Sequence, residues 1–208
     1  MVKTRPAETP ARVRRVVLTG GIATGKSYTL QRFAMLGAPT CDADDIARTV
    51  QAPNGAAWSG LRDRFGPDVF DASGHLNRRM LGAVVFSDPQ ALADLNALVH
   101  PHVRQAIEHW LAELDPASGP AMVAIPLYFE GDRVQTFERV VVTACDLSTQ
   151  VARVVERGFT EEEARHRIAA QLPTEEKARQ ADHVVWTDRR FADTDRQVEE
   201  VWAVLTRP

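Results

Sequence analysis

The chain has 208 residues, 44% of them hydrophobic, and a formal net charge of −3. This length predicts one domain, or one domain with an inserted lobe, and a sizeable core. The small negative charge predicts no general affinity for nucleic acid, and no apolar run is long enough to span a bilayer. The cysteines, Cys41 and Cys145, lack metal or redox spacing and indicate free thiols in a reducing compartment. We therefore expect a cytoplasmic protein that binds neither nucleic acid nor membrane.

The first fifteen residues differ from the rest of the chain. They include five basic residues together with Pro6 and Pro10, and they lack the apolar centre of a secretory signal. Residues 1–15 are therefore predicted to form a disordered basic leader, and a role in targeting or in binding an anionic partner is the alternative.

The segment Gly20–Ser27 fits the phosphate-binding pattern G-x-x-x-x-G-K-[ST]. An apolar run precedes it, and apolar residues at helical spacing follow it. This order of strand, glycine loop and helix predicts backbone N–H groups that cradle a phosphate, assisted by the positive end of the helix. The alternative is an ordinary glycine-rich turn. The predicted nucleotide-binding residues are Gly21, Ile22, Ala23, Thr24, Gly25, Lys26, Ser27 and Tyr28.

Two of these side chains have a specific predicted role. Lys26 can reach the β- and γ-phosphates of a bound nucleotide, and the Ser27 hydroxyl can ligate Mg²⁺.

Acidic residues follow the second predicted strand, which ends near Cys41. In a parallel sheet the carboxyl ends of the strands share one edge, so Asp42 and Asp44 are expected beside the glycine loop. Both are candidates to hold Mg²⁺ or to take a proton from a nucleophile. Helix capping is the alternative for Asp42 and Asp45.

Residues 52–118 have an almost wholly helical pattern, with helices expected near residues 56–65, 78–86 and 88–114. This is too much helix for one crossover between strands, so we interpret it as an inserted lobe that binds the second substrate. Pro101 is expected to break or kink the long helix. His100 could contact the acceptor, or could simply pack at the kink.

The rest of the chain returns to strands and helices. Residues 121–125 and 139–143 are apolar or β-branched and predict buried parallel strands. Glu130 follows the first of them at the functional edge, with a solvated loop acid as the alternative. A last strand is predicted at residues 183–187 and a closing amphipathic helix at residues 191–205.

An arginine-rich helical stretch lies between these strands. Arg153 and Arg157 are four residues apart on one helix face, next to a hinge at Gly158. Two cations in this position suit a lid that closes over phosphates, at about residues 153–180, and a solvated face is the alternative. Capping boxes predict helix starts at Thr160 and Thr174.

The chain resembles the dephospho-coenzyme A kinases of the P-loop nucleoside-monophosphate-kinase-like group, over roughly Val16 to the end. The glycine loop alone indicates only a nucleotide-binding protein. The segments most specific to this family are Asp42–Arg48 and Leu98–Pro101. Further matching segments are Leu18–Ile22, Phe65–Gly66, Pro126–Leu127 with Glu130, Arg167–Gln171, Glu175–Lys177 and Ala181–Val185.

This resemblance implies transfer of the γ-phosphoryl group of ATP to the ribose 3′-hydroxyl of dephospho-coenzyme A, with ATP and Mg²⁺ bound. It implies an α/β P-loop kinase core of three layers with a parallel five-stranded sheet, formed by residues 16–51 and 119–208, an acceptor lobe at residues 52–118 and a helical lid. Asp44 resembles the catalytic carboxylate, Lys26 binds phosphate, and Arg153 and Arg157 resemble the lid cations. The implied substrate-binding residues are Asp42, Asp44, His100, Pro126, Leu127 and Glu130, and the metal ligands are Ser27 and Asp42.

Three positions depart from the family pattern. Ala23 stands where another glycine is usual, which the loop accommodates if its φ is negative. Tyr28 replaces the common threonine with a bulkier hydroxyl. The segment Thr187–Arg190 replaces Asp-Asn-x-Gly, so the residues that contact adenine are not identified from the pattern.

Other functions fit parts of the sequence. A kinase for another nucleotide or small metabolite shares the loop, and an inactive regulator could keep the fold. A GTP-binding switch would need an Asn-Lys-x-Asp segment, which the sequence lacks. A monomer or weak homo-oligomer is expected.

Overall fold

The computed structural model describes residues 13–131 and 136–207. Within this part of the chain, five strands form one sheet in the order β2-β3-β1-β4-β5, and every neighbouring pair is parallel. The strands are β1 (Arg15–Gly20), β2 (Thr40–Asp42), β3 (Ala121–Ala124), β4 (Arg139–Ala144) and β5 (His183–Trp186).

Helices fill the connections between the strands. The structure assigns α1 (Lys26–Met35), α2 (Ala43–Val50), α3 (Trp58–Phe65), α4 (Arg78–Ser87), α5 (Pro89–Glu113), α6 (Leu147–Val155), α7 (Glu161–Ala169), α8 (Thr174–Arg179) and α9 (Phe191–Leu205). Short 3₁₀ turns lie at Pro67–Val69 and Pro116–Ser118. The described chain between β2 and β3 contains no strand, which agrees with the helical pattern of its sequence.

Apolar residues cover both faces of the sheet. On one face Val16, Leu18 and Met122 pack against helices α1 and α9, where Phe33 and Val198 are fully buried. On the other face Val123 packs against α5. Because parallel strands are buried on both sides, their near-continuous apolar sequences fit this three-layer arrangement.

The register brings the carboxyl ends of the strands to one edge. Asp42 pairs with Ala124, Leu18 also pairs with Ala124, and Gly20 pairs with Thr143. The loops that follow these strands therefore emerge side by side, although they are far apart in the sequence. This edge carries the candidate site.

The predicted leader boundary at residue 15 is wrong. Val13 is buried, Arg15 begins β1, and the Arg15 guanidinium lies 2.7 Å from the Glu108 carboxylate. The local excess of arginine suggested disorder, but a distant helix supplies the carboxylate. The remainder of the predicted leader, residues 1–12, lies outside the described residues.

Two expectations about helix ends also differ from the structure. Helix α5 continues through Pro101, so the predicted break does not occur, and the alternative of a kink stays a prediction. Val99 and Ile107 are buried on either side of the proline. Helix α8 has Pro173 at its N-cap, so Thr174 does not form the predicted capping box. The Thr174 hydroxyl donates to the Gln150 side chain instead. The capping box at Thr160 is confirmed.

None of the helices among the described residues is long and apolar enough to cross a membrane.

Substitution of Phe33 tests the core beneath α1. Phe33 is fully buried and its ring lies 6.3 Å from that of Trp202. We expect Phe33→Ala to lower the free energy of unfolding by about 3–5 kcal/mol, measured by urea denaturation, because it leaves a cavity. Met35→Ala on the same helix is the control, since Met35 is 68% exposed. Its expected effect is within about 0.5 kcal/mol, and equal effects of the two variants would contradict the packing described.

Candidate active site

The glycine loop between β1 and α1 needs its glycines for two different reasons. A Cβ atom at Gly20 would lie 2.2 Å from Thr143 Oγ1, so no side chain fits there. Gly25 has φ of +87° and forms the N-cap of α1, a left-handed conformation that glycine adopts without strain. Helix α1 then begins at Lys26, and the N–H groups of its first turn have no acceptor within the helix. The loop and this helix end thus form an anion-binding site.

Both backbone groups of Ile22 are held by glutamine side chains from the distant part of the chain. Ile22 N donates to Gln171 Oε1 at 2.8 Å, and Gln150 Nε2 donates to Ile22 O at 2.8 Å. Gln150 is buried, and its own carbonyl oxygen accepts a hydrogen bond from Thr174 Oγ1 at 3.1 Å. The loop is therefore fixed from behind by α6 and by the segment that leads into α8.

The neighbouring carbonyl groups of the loop have partners of the same kind. Ala23 O accepts from Arg153 Nη1 at 3.1 Å, and Thr24 O accepts from Thr187 Oγ1 at 2.9 Å. Gly21 O accepts from Thr24 Oγ1 at 2.8 Å. The carbonyls of four consecutive residues, Gly21 to Thr24, are thus occupied by protein donors. This arrangement fixes the loop's conformation before any nucleotide binds.

The loop accommodates Ala23 at a φ of +60°, so the negative φ given as the condition for its fit does not occur. A non-glycine residue in this region carries strain of about 1–2 kcal/mol. Tertiary contacts hold it there, since the Ala23 methyl is buried against Val151 and Val154 and its carbonyl accepts from Arg153. Sequence pattern alone could not reveal these contacts.

Lys26 and Asp42 face each other at the sheet edge. Lys26 Nζ lies 3.4 Å from Asp42 Oδ2, while Asp42 Oδ1 accepts a hydrogen bond from Asp44 N at 2.9 Å. Asp42 is therefore the N-cap of α2, as the capping alternative predicts, and it is also the partner of the loop lysine. Ser27 is exposed in the first turn of α1.

Two cavities meet at this edge. The larger, of about 1020 Å³, is lined by the loop, and the smaller, of about 450 Å³, lies between β3, α2 and α5. Asp44 and Pro126 line both cavities. The Asp44 carboxylate thus lies at the junction of the two cavities, where ligands bound in them would be nearest to each other.

The larger cavity has an excess of positive charge. It is lined by five cationic side chains and three carboxylates, a balance that favours a polyanion. The predicted cations Arg153 and Arg157 are both among them, but they differ in position. Arg153 is bonded to the loop and to Thr187, whereas Arg157 is exposed at the cavity wall. The cationic residues are Lys26, Arg48, Arg153, Arg157 and Arg189, and the acidic residues are Asp42, Asp44 and Asp45.

The smaller cavity is lined by all the predicted acceptor contacts except Asp42, which lines only the larger one. His100 on α5 lines the smaller cavity together with Leu127 and Glu130 from the loop after β3. Apolar residues of α2 and α5, such as Ala47 and Val99, form another part of its wall. The cleft therefore suits a ligand that is partly apolar.

Tyr28 does not present its hydroxyl to the loop. The hydroxyl donates to Asp195 Oδ1 at 2.7 Å, and the ring lies 4.8 Å from that of Phe191. This hydrogen bond raises the pKa of Tyr28 above its usual value. Arg189, from the segment Thr187–Arg190 that departs from the family pattern, and Phe191, at the start of α9, line the larger cavity nearby.

Sequence reasoning missed three supporting residues. Gln150 and Thr187 bind loop carbonyls, and Lys177 is fully buried with its ammonium 2.7 Å from the Glu130 carboxylate. Each of them acts on a residue more than forty positions away in the sequence, so no local spacing marked it. The one signal that the sequence offered is that Lys177 belongs to the segment Glu175–Lys177, which matches the family pattern.

Comparison with known proteins gives a consistent result. The family model described as Dephospho-CoA kinase matches residues 14–193. A dephospho-CoA kinase from Geobacillus kaustophilus is 42% identical over 186 residues, which cover 87% of this chain and 91% of the relative. The chain belongs to the dephospho-CoA kinase family.

Solved structures agree with this family assignment. A Thermus thermophilus protein superposes with a TM-score of 0.79 at 32% identity, covering 94% of this chain and 100% of that one. The dephospho-CoA kinase from Campylobacter jejuni superposes with a TM-score of 0.70 at 26% identity, covering 92% and 96%. The predicted P-loop kinase core with a parallel five-stranded sheet is confirmed.

Membership in the dephospho-CoA kinase family fixes the class of reaction. The protein is a kinase, a phosphotransferase with an alcohol group as acceptor, and it acts at the last step of coenzyme A biosynthesis. The alternatives of a different acceptor, a GTP-binding switch or an inactive regulator are not favoured.

The two cysteines of this dephospho-CoA kinase family member provide a test of burial at the sheet edge. Burial raises the pKa of Cys145 to about 11, and burial with the nearby Asp42 charge raises that of Cys41 to about 11. At pH 8 we expect native Cys145 to react with iodoacetamide about 100-fold more slowly than in urea, read by mass spectrometry. Equal rates in the native and unfolded protein would contradict the environment described.

The same shifts predict how stability depends on pH. Folding raises the pKa of both thiols from the usual value of 9.0 to about 11. As the pH rises, the thiols of the unfolded protein therefore ionise before those of the folded protein. The contribution of these groups to stability is therefore complete below pH 9 and is lost as the pH rises toward 11. Urea denaturation of the double Cys→Ser variant, compared with the parent between pH 8 and pH 11, isolates this contribution.

Proposed function

We propose that the triphosphate of ATP binds in the larger cavity and dephospho-coenzyme A in the smaller one, so that the γ-phosphoryl group passes to the ribose 3′-hydroxyl. The observation that carries this proposal is that Asp44 lines both cavities. The reaction would give coenzyme A and ADP. Residues 16–51 and 119–208 would form the nucleotide core and residues 52–118 the acceptor lobe.

The loop would hold the β- and γ-phosphates of ATP. Support comes from the occupied carbonyls of Gly21 to Thr24, which fix the loop. Ile22 N and Thr24 N already donate to Gln171 and to Gly21 O, so the N–H groups for the anion are those of Ala23, Gly25 and the first turn of α1. Lys26 would add its charge at the transferring phosphate once the nucleotide competes for its contact with Asp42, which is long at 3.4 Å.

Asp44 would accept the proton of the ribose hydroxyl or orient that hydroxyl toward the phosphorus. It is exposed at the start of α2, and its backbone N–H is fixed by the Asp42 side chain. A carboxylate that is held by the backbone but open to both cavities is suited to general base chemistry. The acceptor would also contact Asp42, His100, Pro126, Leu127 and Glu130.

Mg²⁺ would be held by the Ser27 hydroxyl and the Asp42 carboxylate. Among the described residues no group of three or more His, Cys, Asp or Glu side chains could hold a metal ion. The available donor set fits Mg²⁺ nonetheless, because a phosphate-bound Mg²⁺ takes only one or two protein ligands and keeps its waters. When bound, Mg²⁺ neutralises charge on the β- and γ-phosphate oxygens.

Arg153 and Arg157 would stabilise the charge that spreads over the transferring group. Residues 153–180 would act as the lid, whose closure keeps water from the phosphorus. Arg153 is already bonded to the loop carbonyl of Ala23 and would serve as the fixed cation, whereas the exposed Arg157 would be the one that moves.

A coupled assay of ADP release tests the proposed reaction. We expect ADP release with ATP to depend on added dephospho-coenzyme A, and the product to carry a new 3′-phosphate by mass spectrometry. GTP in place of ATP tests nucleotide preference. ADP release that is unaffected by dephospho-coenzyme A but depends on another hydroxyl acceptor would favour a different kinase.

Asp44→Asn tests the catalytic carboxylate. We expect kcat to fall by about 10³-fold, because the variant cannot accept a proton, while the Kd for ATP changes by less than about threefold. The control is Asp63→Asn on α3, since Asp63 is exposed and lines neither cavity. Near-normal turnover in Asp44→Asn would remove this residue from the chemistry.

Arg157→Ala tests the second cation. If Arg157 acts mainly on the transition state, kcat should fall by about 10²-fold with a smaller change in KM for ATP. Arg165→Ala is the matched control, because Arg165 is an exposed arginine of α7 paired with Glu161. Equal losses in kcat and in nucleotide affinity would indicate ground-state binding instead.

The predicted cytoplasmic location, the monomeric or weakly associating state and the lack of nucleic-acid or membrane partners stay predictions. Sedimentation velocity at several protein concentrations measures the association state directly.

A further inference from the structure

The most deeply buried charge among the described residues is Lys177 on α8. Its side chain is fully buried, and its Nζ lies 2.7 Å from Glu130 Oε1. A buried ammonium is stable only beside a counter-charge, so the two residues hold each other in place. Glu130 belongs to the loop after β3 and lines the acceptor cleft, with its side chain 22% exposed.

The same carboxylate oxygen also binds the backbone ahead of α8. Leu172 N donates to Glu130 Oε1 at 3.0 Å, in addition to the contact with Lys177. One oxygen therefore fixes the segment Gln171–Lys177 at two points. Hydrogen bonds to an ionised acceptor are stronger than neutral ones, which suits this oxygen to setting the position of the segment.

The fixed segment is the one that contacts the phosphate loop. Gln171, adjacent to Leu172, accepts the hydrogen bond from Ile22 N at 2.8 Å. Thr174 donates to Gln150, which in turn donates to Ile22 O. The contacts thus run without a gap from the wall of the acceptor cleft to the backbone of the phosphate loop.

We propose that Glu130 and Lys177 are positioning residues that couple the acceptor cleft to the phosphate loop. They act through Leu172 and Gln171 on Ile22, and so set the geometry in which the triphosphate is bound. This inference rests on the proposed function for its meaning in catalysis. Glu130 is already predicted to contact the acceptor, and the proposal gives it a second, separate role in nucleotide binding.

The proposal makes a different prediction from a role in stability alone. A pair needed only for folding would change the melting temperature and leave both KM values of the folded enzyme unaltered. A direct acceptor contact by Glu130 would change KM for dephospho-coenzyme A alone, whatever residue stands at position 177. Coupling to the phosphate loop predicts that ATP affinity changes when either Glu130 or Lys177 is substituted.

The experiment compares Glu130→Gln, Lys177→Met and the double variant with the parent enzyme. Glutamine keeps an oxygen for Leu172 N but leaves the buried ammonium without a counter-charge. The double variant keeps that oxygen and removes the unpaired charge. Glu161→Gln, which breaks the exposed pair with Arg165, is the control for loss of an ion pair elsewhere in the predicted lid.

We expect Glu130→Gln to raise the Kd for a fluorescent ATP analogue and KM for ATP by about tenfold. Lys177→Met should raise this Kd and this KM by less, because the Glu130 carboxylate that it leaves unpaired is partly solvated. In the double variant both constants should return to within about threefold of the parent values. The control should match the parent. Melting temperatures and near-ultraviolet circular dichroism confirm that each variant is folded at the assay temperature.

Three results would overturn the proposal. The first is a lowered melting temperature of Glu130→Gln with an unchanged Kd for the ATP analogue. The second is a double variant whose Kd for the analogue is as high as that of Glu130→Gln. The third is a Glu130→Gln variant in which only KM for dephospho-coenzyme A rises, while Lys177→Met leaves that KM unchanged.

If Glu130→Gln does not fold, Gln171→Ala tests the other end of the connection. It should raise the Kd for the ATP analogue by a similar factor, and an unchanged Kd would count against the proposal. Because the analogue reports nucleotide binding without turnover, these readouts stand even if the parent enzyme fails to phosphorylate dephospho-coenzyme A.

Discussion

The phosphate loop has its conformation because its carbonyl oxygens already have donors. Residues Gly21 to Thr24 each accept a side-chain hydrogen bond, from within the loop, from α6 or from Thr187 after β5. With these carbonyls engaged and with Ile22 N and Thr24 N bonded inside the protein, the N–H groups of Ala23, Gly25 and the first turn of α1 remain for an anion, in a loop whose conformation is already set. This preorganisation explains why elements from the second half of the chain are required for a motif in the first thirty residues.

The parallel sheet brings the reacting groups together. Its strand order places β1 beside both β3 and β4, with β2 next to β3, so the loops after these strands share one edge. The phosphate loop, the Asp42–Asp44 turn and the Pro126–Glu130 loop therefore line adjacent cavities. Asp44 lines both cavities because it stands at the start of α2, where its backbone N–H is fixed by the Asp42 cap. The family assignment and this geometry point to the same chemistry.

Local patterns in the sequence predicted most of the fold and the principal residues of the candidate site. The glycine loop, the acidic turn and the helices of residues 58–113 follow from motif and periodicity, and the final helix has the predicted bounds Phe191–Leu205. What failed depends on contacts between distant residues. The positive φ of Ala23 is sustained by packing on α6 and by Arg153, and the arginines near residue 15 belong to the fold because Glu108 lies opposite. Lys177 and Gln150 were missed for the same reason.

A crystal structure of the enzyme with a non-hydrolysable ATP analogue and dephospho-coenzyme A tests the central claim most directly. The account predicts the β- and γ-phosphates within hydrogen-bond distance of the loop amides, the acceptor in the cleft lined by His100 and Pro126, and the ribose 3′-oxygen beside the Asp44 carboxylate. An acceptor bound outside that cleft, or a 3′-oxygen beyond the reach of Asp44 in the closed complex, would contradict it.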